Sequence, residues 1–371
     1  MKIGIDLRVL DSLNITGLGR YALNLTKELI KFKEEYYFIG NVDRSELEYT
    51  KNMTIPIELP YGDIEFANKL LSLIGYVEDL DMMFSPFYPL PERRTFKGIV
   101  TIHDLIPLRL PEIFRNTGIY NFYDTYMREC AEHIDHIITV SNSTKQDIME
   151  LYGIEEEKIS VIYLAGHSKC FNREDVGEAQ QKVFEKYRIN KGYILSLCTL
   201  EPRKNLTRLL KAYEIIRTKL KEEFHLVFVG GFGMRSEELI REIEKSPFKD
   251  NIIMTGYVPD EDLGVLYSNA EVFVYPSLYE GFGLPVLEAM GYGVPVVTSN
   301  VSSLPEVGGD AALYCNPYDV ESIAYTIEKV LLSPTLQRQL REKSLERSKL
   351  FSWEKTALQT RDVFLKCLNK S

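Results

Sequence analysis

Val272-Phe-Val-Tyr275-Pro-Ser-Leu-Tyr-Glu280-Gly-Phe-Gly283-Leu-Pro285-Val-Leu-Glu288-Ala-Met-Gly-Tyr-Gly293 spells a strand, a turn and a helix in one stretch. Residues 272–275 are apolar throughout, as suits a strand buried on both faces of a parallel sheet. Gly281 and Gly283 supply the turn, and Pro285 stands near the first helical position. The N–H groups of Gly281, Phe282, Gly283 and Leu284 would then form an anion cradle at a positive helix end. Glu280 stands just before this cradle and Glu288 lies one turn into the helix. An acid beside a phosphate cradle is electrostatically odd unless it accepts hydrogen bonds from ligand hydroxyls. Sugar and ribose hydroxyls meet that description. The alternative is a plain strand-turn-helix with a capping carboxylate.

The same grammar extends in both directions. Residues 193–197, 226–229, 252–255 and 294–298 read as further buried strands, each followed by a helical segment, the longest at 205–219. In the first half, strands are expected at 2–7, 37–39, 82–84, 99–102, 137–140 and 159–163. Helices are expected near 21–31, 64–73, 120–133 and 144–151, with Ser143 as a cap and Asp147 as a first-turn acid. Strands alternating with helices in both halves predict an α/β fold of two Rossmann-like, doubly wound domains around a central cleft. The expected division is 1–171, 190–350, and a last helix over 351–371 returning to the first domain. The polar stretch 172–191 lacks a strand and reads as the crossover.

Composition bounds the rest. The chain has 371 residues, 45% of them hydrophobic, enough for two domains of about 170–190 residues each. A net charge of −10 disfavours nucleic acid as a partner. The five cysteines, Cys130, Cys170, Cys198, Cys315 and Cys367, show no metal-pair spacing, which suits a reducing compartment. The start, MKIGIDLRV, reads directly as a strand, and no apolar run approaches the roughly 20 residues that cross a bilayer. A soluble, cytoplasmic protein is expected, with peripheral contact at the inner face of a membrane left open.

A second element bears on chemistry. Leu200-Glu201-Pro202-Arg203-Lys204-Asn205 follows the strand 193–197 and places two cations at its carboxyl end. Arg offers a fork and Lys a point charge, together able to neutralise a diphosphate as a metal ion would. The alternative is a solvated basic turn that opens the next helix. No set of His, Cys or Asp has metal-ligand spacing, so no metal and no cofactor is called for.

These residues resemble the large retaining group 1 glycosyltransferases of GT-B fold. The resemblance rests on the two glutamates with seven residues between, the Glu-Pro-Arg-Lys-Asn turn and Thr139-Val-Ser-Asn-Ser-Thr144, and it covers nearly the whole chain. Thr101-Ile-His103-Asp104-Leu-Ile-Pro-Leu108 is similar to the mannosyltransferase-like branch. The resemblance implies that Glu280 contacts donor-sugar hydroxyls, Glu288 the ribose, and Arg203 with Lys204 the diphosphate. It places His103 near the reacting sugar and the acceptor, and Tyr257 and Val258 beside the base through main-chain contacts. It implies catalysis by charge stabilisation, with retention of anomeric configuration. Where many relatives carry a Gly-Arg turn shortly before the phosphate lysine, this chain has Cys198-Thr199.

Weaker features are weighed beside these. Gly17-Leu-Gly19-Arg-Tyr-Ala22 matches a dinucleotide-binding glycine pattern, but the preceding strand ends too far upstream for a nicotinamide site. The loop 11–19 fits better as a wall of the cleft, and in the family it approaches the donor phosphates. His103 would donate to a sugar hydroxyl or share the acceptor proton, or else be a satisfied structural histidine. His133 and His136 read as cations at a helix C-terminus. Val229-Gly-Gly-Phe-Gly233 fits backbone approach to a nucleotide and a tight strand-helix turn equally well. The expected partners are a nucleotide sugar, GDP-mannose above others, and a saccharide or lipid-linked acceptor, in surface polysaccharide synthesis. The rival readings are an epimerase or hydrolase of the same fold and a non-catalytic nucleotide-binding subunit.

Overall fold

The structure is a computed structural model, and it describes residues 1–10, 17–40, 53–55, 63–166, 177–190, 192–220 and 223–369. The chain divides into two compact units, Met1–Leu164 with Ser352–Ser371, and Ala165–Phe351.

In the first unit, β1 (Lys2–Asp6), β2 (Glu35–Ile39), β3 (Met53–Ile55), β4 (Met82–Ser85), β5 (Lys97–Ile102), β6 (His136–Thr139) and β7 (Ile159–Val161) form one parallel sheet. Its order is β3-β2-β1-β4-β5-β6-β7. The chain winds outward from β1 to one side and then from β4 to the other. The final helix, Trp353–Asn369, packs on this unit. Phe364 lies 5.2 Å from Phe84 between ring centroids, Arg361 clamps Glu34 at 2.6 Å, and the Thr356 hydroxyl donates to the Tyr163 carbonyl at 2.8 Å.

The second unit repeats the plan with β8 (Tyr193–Leu197), β9 (His225–Val229), β10 (Ile252–Gly256), β11 (Val272–Tyr275), β12 (Val296–Ser299) and β13 (Ala312–Cys315). Their order is β10-β9-β8-β11-β12-β13, again parallel. Helices cover both faces, which is why the strands are continuous apolar runs. In the helix Leu206–Lys219, Leu206, Leu209, Leu210, Tyr213 and Ile216 recur at helical spacing and are all buried.

Several local expectations need correction. The cap of the helix Asn142–Tyr152 is Ser141, whose hydroxyl accepts from the Thr144 N–H, and not Ser143. Asp147 is therefore mid-helix, where it is buried and paired with Arg109 at 2.6 Å. The stretch 172–191 contains the helix Gly177–Tyr187, tied to the helix Asp260–Asn269 by Lys186 and Tyr187 on Asp262. His136 begins β6 and bonds the Ser160 hydroxyl at 2.9 Å, so it is no helix-end cation. The helix foreseen after Gly19 begins at Gly17. Residues 11–16 of its preceding loop, His167 and Cys170 lie outside the described residues.

Candidate functional site

β8 and β11 are neighbours in the second sheet, and the chain order reverses between them. This is where a doubly wound sheet leaves room for a ligand at its carboxyl edge. The turns leaving the two strands are bonded to each other. After β8, Pro202–Lys204 form one 3₁₀ turn that ends on Asn205 with φ 61°, a left-handed conformation that Asn tolerates. The buried Asn205 amide donates to the carbonyls of Pro276 (3.0 Å) and Pro317 (2.7 Å). The Leu278 N–H donates to the Arg203 carbonyl at 2.8 Å. Residues over seventy positions apart in sequence are thus held as one rigid piece.

Four side chains meet on Glu280, which is 7% exposed. Its Oε1 accepts from Lys204 Nζ at 2.6 Å, from the Ser277 hydroxyl at 2.6 Å and from the Tyr275 hydroxyl at 2.9 Å. Its Oε2 pairs with an Arg203 terminal nitrogen at 2.9 Å. Arg203 Nε in turn meets Glu201 at 2.6 Å. Lys204, 6% exposed, also donates to the Tyr275 hydroxyl at 2.6 Å. Burial by itself would raise the Glu280 pKa. The Arg203 and Lys204 charges, with hydrogen bonds from Lys204 and Ser277, overcome this and hold it at about 2. Burial and the Glu280 charge push the Tyr275 hydroxyl far above its usual range, so it stays a donor.

This arrangement removes one alternative and adds a feature to the expected pair of cations. The turn is not a solvated basic loop, because Lys204 is buried. Nor are the two cations an uncompensated positive pair, because two carboxylates, Glu201 and Glu280, balance them. A buried charge without a partner is costly, so the sequence that buries Lys204 also supplies its counter-ion.

The 281–284 turn follows directly in the chain. The Ser303 hydroxyl, fully buried, donates toward the carbonyls of Glu280 (2.9 Å) and Phe282 (2.8 Å). Trans peptide geometry then turns the Gly281 and Gly283 N–H groups to the opposite side. Gly283 has φ 114°, where a side chain would be strained, and it opens the helix Leu284–Gly291 without a side-chain cap and with Pro285 in its first turn. Glu288, half-buried in that helix, accepts from the Tyr267 hydroxyl at 3.3 Å, and Tyr267 stacks on Tyr292 at 5.3 Å. Beyond β10, Tyr257 is 78% exposed while Val258 is 3% exposed. The Val258 side chain is therefore closed to a ligand.

The loop after β9 resolves the other way. A Cβ on Gly230 would lie 1.9 Å from the Cys198 carbonyl oxygen, and one on Gly233 would lie 2.7 Å from the Thr199 methyl. These glycines let the turn after β9 approach the turn after β8. Close packing against Cys198 and Thr199 accounts for them without a nucleotide.

In the first unit, His103 follows β5 and is buried edge-on against Tyr21 at 4.7 Å. Its Nε2 lies 2.8 Å from the Pro86 carbonyl oxygen. Burial lowers its pKa to about 4 against the opposing Pro86 bond, so the ring is neutral at pH 7. A carbonyl only accepts, so the single N–H of the ring sits on Nε2 and is spent on Pro86. His103 therefore cannot donate to a sugar hydroxyl as expected; Nδ1 is left as an acceptor. The Thr144 hydroxyl donates to the His103 carbonyl at 3.2 Å, which gives part of the 139–144 stretch a supporting role. Gly17 and Gly19 lie in the first turn of their helix, where a Cβ on Gly17 would meet nothing within 4 Å.

Of the expected site residues, Arg203, Lys204, Glu280 and the 281–284 turn share one cluster, while Glu288, Tyr257 and Val258 lie elsewhere on the same unit. Sequence reasoning missed Tyr275, Ser277 and Ser303. It also missed the buried Asp6–Arg8 pair (2.6 Å) at the end of β1, whose guanidinium lies 4.8 Å over Tyr88. Tyr275 and Ser277 stand two apart at a strand end and so face one side, a signal that was available. Among the described residues no group of three or more His, Cys, Asp or Glu is placed to hold a metal ion. No helix among them is long and apolar enough to cross a membrane.

Comparison with known proteins bears on the family and the fold. Residues 15–165 match the family described as Glycosyltransferase Family 4, and residues 179–347 that described as Glycosyl transferases group 1. The chain is 32% identical to O-antigen chain mannosyltransferase B of Escherichia coli, over 94% of this chain and 96% of that protein. It is 35% identical to the serotype-specific mannosyltransferase WbdA of Escherichia coli, over 83% of this chain and 38% of that protein. Among solved structures, sucrose-phosphate synthase from Thermosynechococcus elongatus matches with a TM-score of 0.79 at 19% identity, over 100% of both chains. Anabaena HepE in complex with UDP-glucose matches with a TM-score of 0.75 at 16% identity, over 99% of this chain and 100% of that one. With both family models, the paired parallel sheets and a relative similar over nearly the whole chain in agreement, the chain belongs to the group 1 glycosyltransferases of GT-B fold.

Proposed function

We propose that this glycosyltransferase moves mannose from GDP-mannose to a saccharide or lipid-linked glycan during surface polysaccharide synthesis, with retention of configuration and without a metal ion. The observation that carries the reading is the buried Glu280–Lys204–Arg203 cluster beside an amide-lined helix end. The O-antigen mannosyltransferase similar over nearly the whole chain supports mannose and a polysaccharide product. The reaction belongs in the cytoplasm, where the acceptor is a free glycan or one held at the inner membrane face.

In this reading the donor lies on the second unit. Its diphosphate takes up the remaining Lys204 N–H and the amide of Gly283. Negative charge grows on that diphosphate as the bond to the sugar breaks, so donors fixed in advance favour the transition state over the ground state. Glu280 Oε1 carries three bonds and Oε2 one ion pair, so Oε2 has the capacity for a donor-sugar hydroxyl. Glu288 receives the ribose hydroxyls, and Tyr257 with the Val258 backbone frames the base. His103 serves the acceptor side as a hydrogen-bond acceptor through Nδ1. Retention follows if the acceptor attacks from the face the diphosphate leaves, with the departing phosphate taking the acceptor proton.

Thermal unfolding across nucleoside diphosphates in the presence of chelator tests this reading. GDP at 100 times its dissociation constant should add about 2.7 kcal/mol of stability. Stabilisation that disappears with chelator and returns with Mg²⁺ would overturn the metal-independent reading. A response to UDP alone would overturn the donor assignment.

A further inference from the structure

Lys204 is held from two sides by groups of different kinds. Its ammonium donates to the Tyr275 hydroxyl at 2.6 Å and to Glu280 Oε1 at 2.6 Å, and it lies 5.1 Å from the Tyr275 ring centroid. The Tyr275 hydroxyl passes its own hydrogen to the same Oε1 at 2.9 Å. Tyr275 is the last residue of β11, and its side chain is buried in the sheet core. It is thus among the most rigid places in the unit from which to hold a flexible lysine.

An ammonium group has three tetrahedral hydrogens. With two of them fixed on partners that do not move, the direction of the third is fixed as well. A lysine tethered by Glu280 alone would keep its charge but rotate about that one bond. We infer that Tyr275 is a positioning residue that aims the third Lys204 hydrogen at the leaving group of the donor. The inference rests on Lys204 acting as the leaving-group cation in the proposed function, and it assigns Tyr275 no contact with substrate. Preorganisation of this kind contributes to the rate more than to donor affinity, because it removes reorientation as charge develops.

The test is a double-mutant cycle of Tyr275→Phe and Lys204→Ala, read by single-turnover transfer from the nucleotide sugar that the wild type uses. Phe keeps the ring and the core packing, so the melting temperature should move little. Tyr275→Phe is expected to slow the chemical step about tenfold or more while donor affinity changes by less than about threefold. In the Lys204→Ala background it should have no further effect. A wild-type rate in Tyr275→Phe, or an equal loss in both backgrounds, would overturn the inference. The ¹⁵N signal of the Lys204 ammonium is a readout that needs neither activity nor donor. It should be ordered and slow to exchange in the wild type and mobile in Tyr275→Phe; a signal unchanged by the substitution would also overturn the inference. If Tyr275→Phe fails to fold, Tyr275→Leu, which likewise has no group to accept from the ammonium, takes its place in the same cycle and the same spectrum. A wild type that turns over no nucleotide sugar, with the ammonium signal behaving as stated, would overturn the proposed function and leave the anchoring intact.

Discussion

Glu280 and Glu288 come from one stretch of sequence yet sit in different surroundings, so their amide variants should separate. Glu280→Gln removes the charge that Lys204 and Arg203 are paired with, and the transfer rate is expected to fall about 10²-fold or more. Affinity for free GDP should hold or rise, because the two cations lose a competitor. Glu288→Gln should instead weaken GDP itself through the ribose, measurable by calorimetry, with the chemical step nearly unchanged. Equal effects of both variants on GDP, with no change in rate, would make the pair a structural cap. His103 gives a prediction in pH. Its folded pKa of about 4 lies below the ordinary 6.5, so the unfolded chain takes up this proton first as pH falls. Stability from the neutral ring is complete above about pH 6.5 and is lost progressively down to about pH 4, by about 3 kcal/mol in all. His103→Gln should flatten the melting-temperature profile in that window, and an unchanged slope would assign the acid loss to other groups. The charged members of the site were legible because Arg203, Lys204 and Glu280 stand in turns with recognisable spacing. Ser303 was not, since a serine between a strand and the next helix looks the same whether its hydroxyl faces core or site.

At the scale of elements, strand type and order carried most of the information, because apolar runs between helical periods leave few alternatives to a parallel sheet. The misses have physical reasons. β3 is three residues long with Thr54 at its centre, and β13 lies at a sheet edge with its two middle residues only half-buried, so neither gives the signal of a central strand. The contact between the turns after β8 and β11 depends on these strands being neighbours, and no local pattern encodes that. The loop after β9 shows the reverse case, in which glycines that suit a phosphate are explained by packing. Gly230 has φ 136° and would place a Cβ 1.9 Å from the Cys198 carbonyl oxygen, so Gly230→Ala should cost about 2 kcal/mol or more. Gly231, where a Cβ would meet nothing within 4 Å, should accept Ala with a change within about 0.5 kcal/mol. Chemical denaturation of both variants checks the contrast, and equal costs would remove the packing explanation.

For the whole molecule, the chain closes its first unit last. Residues Trp353–Asn369 return to a unit otherwise complete at Leu164 and bury Phe364 against Phe84. Ending the chain at Phe351 should destabilise the first unit by several kcal/mol, since an aromatic side chain alone contributes about 1.5–3 kcal/mol on burial. Limited proteolysis should then cut within residues 1–164 while the second unit survives, and uniform resistance would contradict this role for the helix. The family was readable from the sequence because its motifs lie at strand ends that the sheet order brings together. The donor and the stereochemistry are not written in those motifs, and they decide the account. The direct measurement is proton NMR of the first product formed from GDP-α-mannose and a mannose-terminated glycan by the intact chain, with chelator present. An α-mannoside as the first-formed linkage is the expected result. A β-mannoside, or transfer only with another nucleotide sugar or only after Mg²⁺ is added, would contradict it.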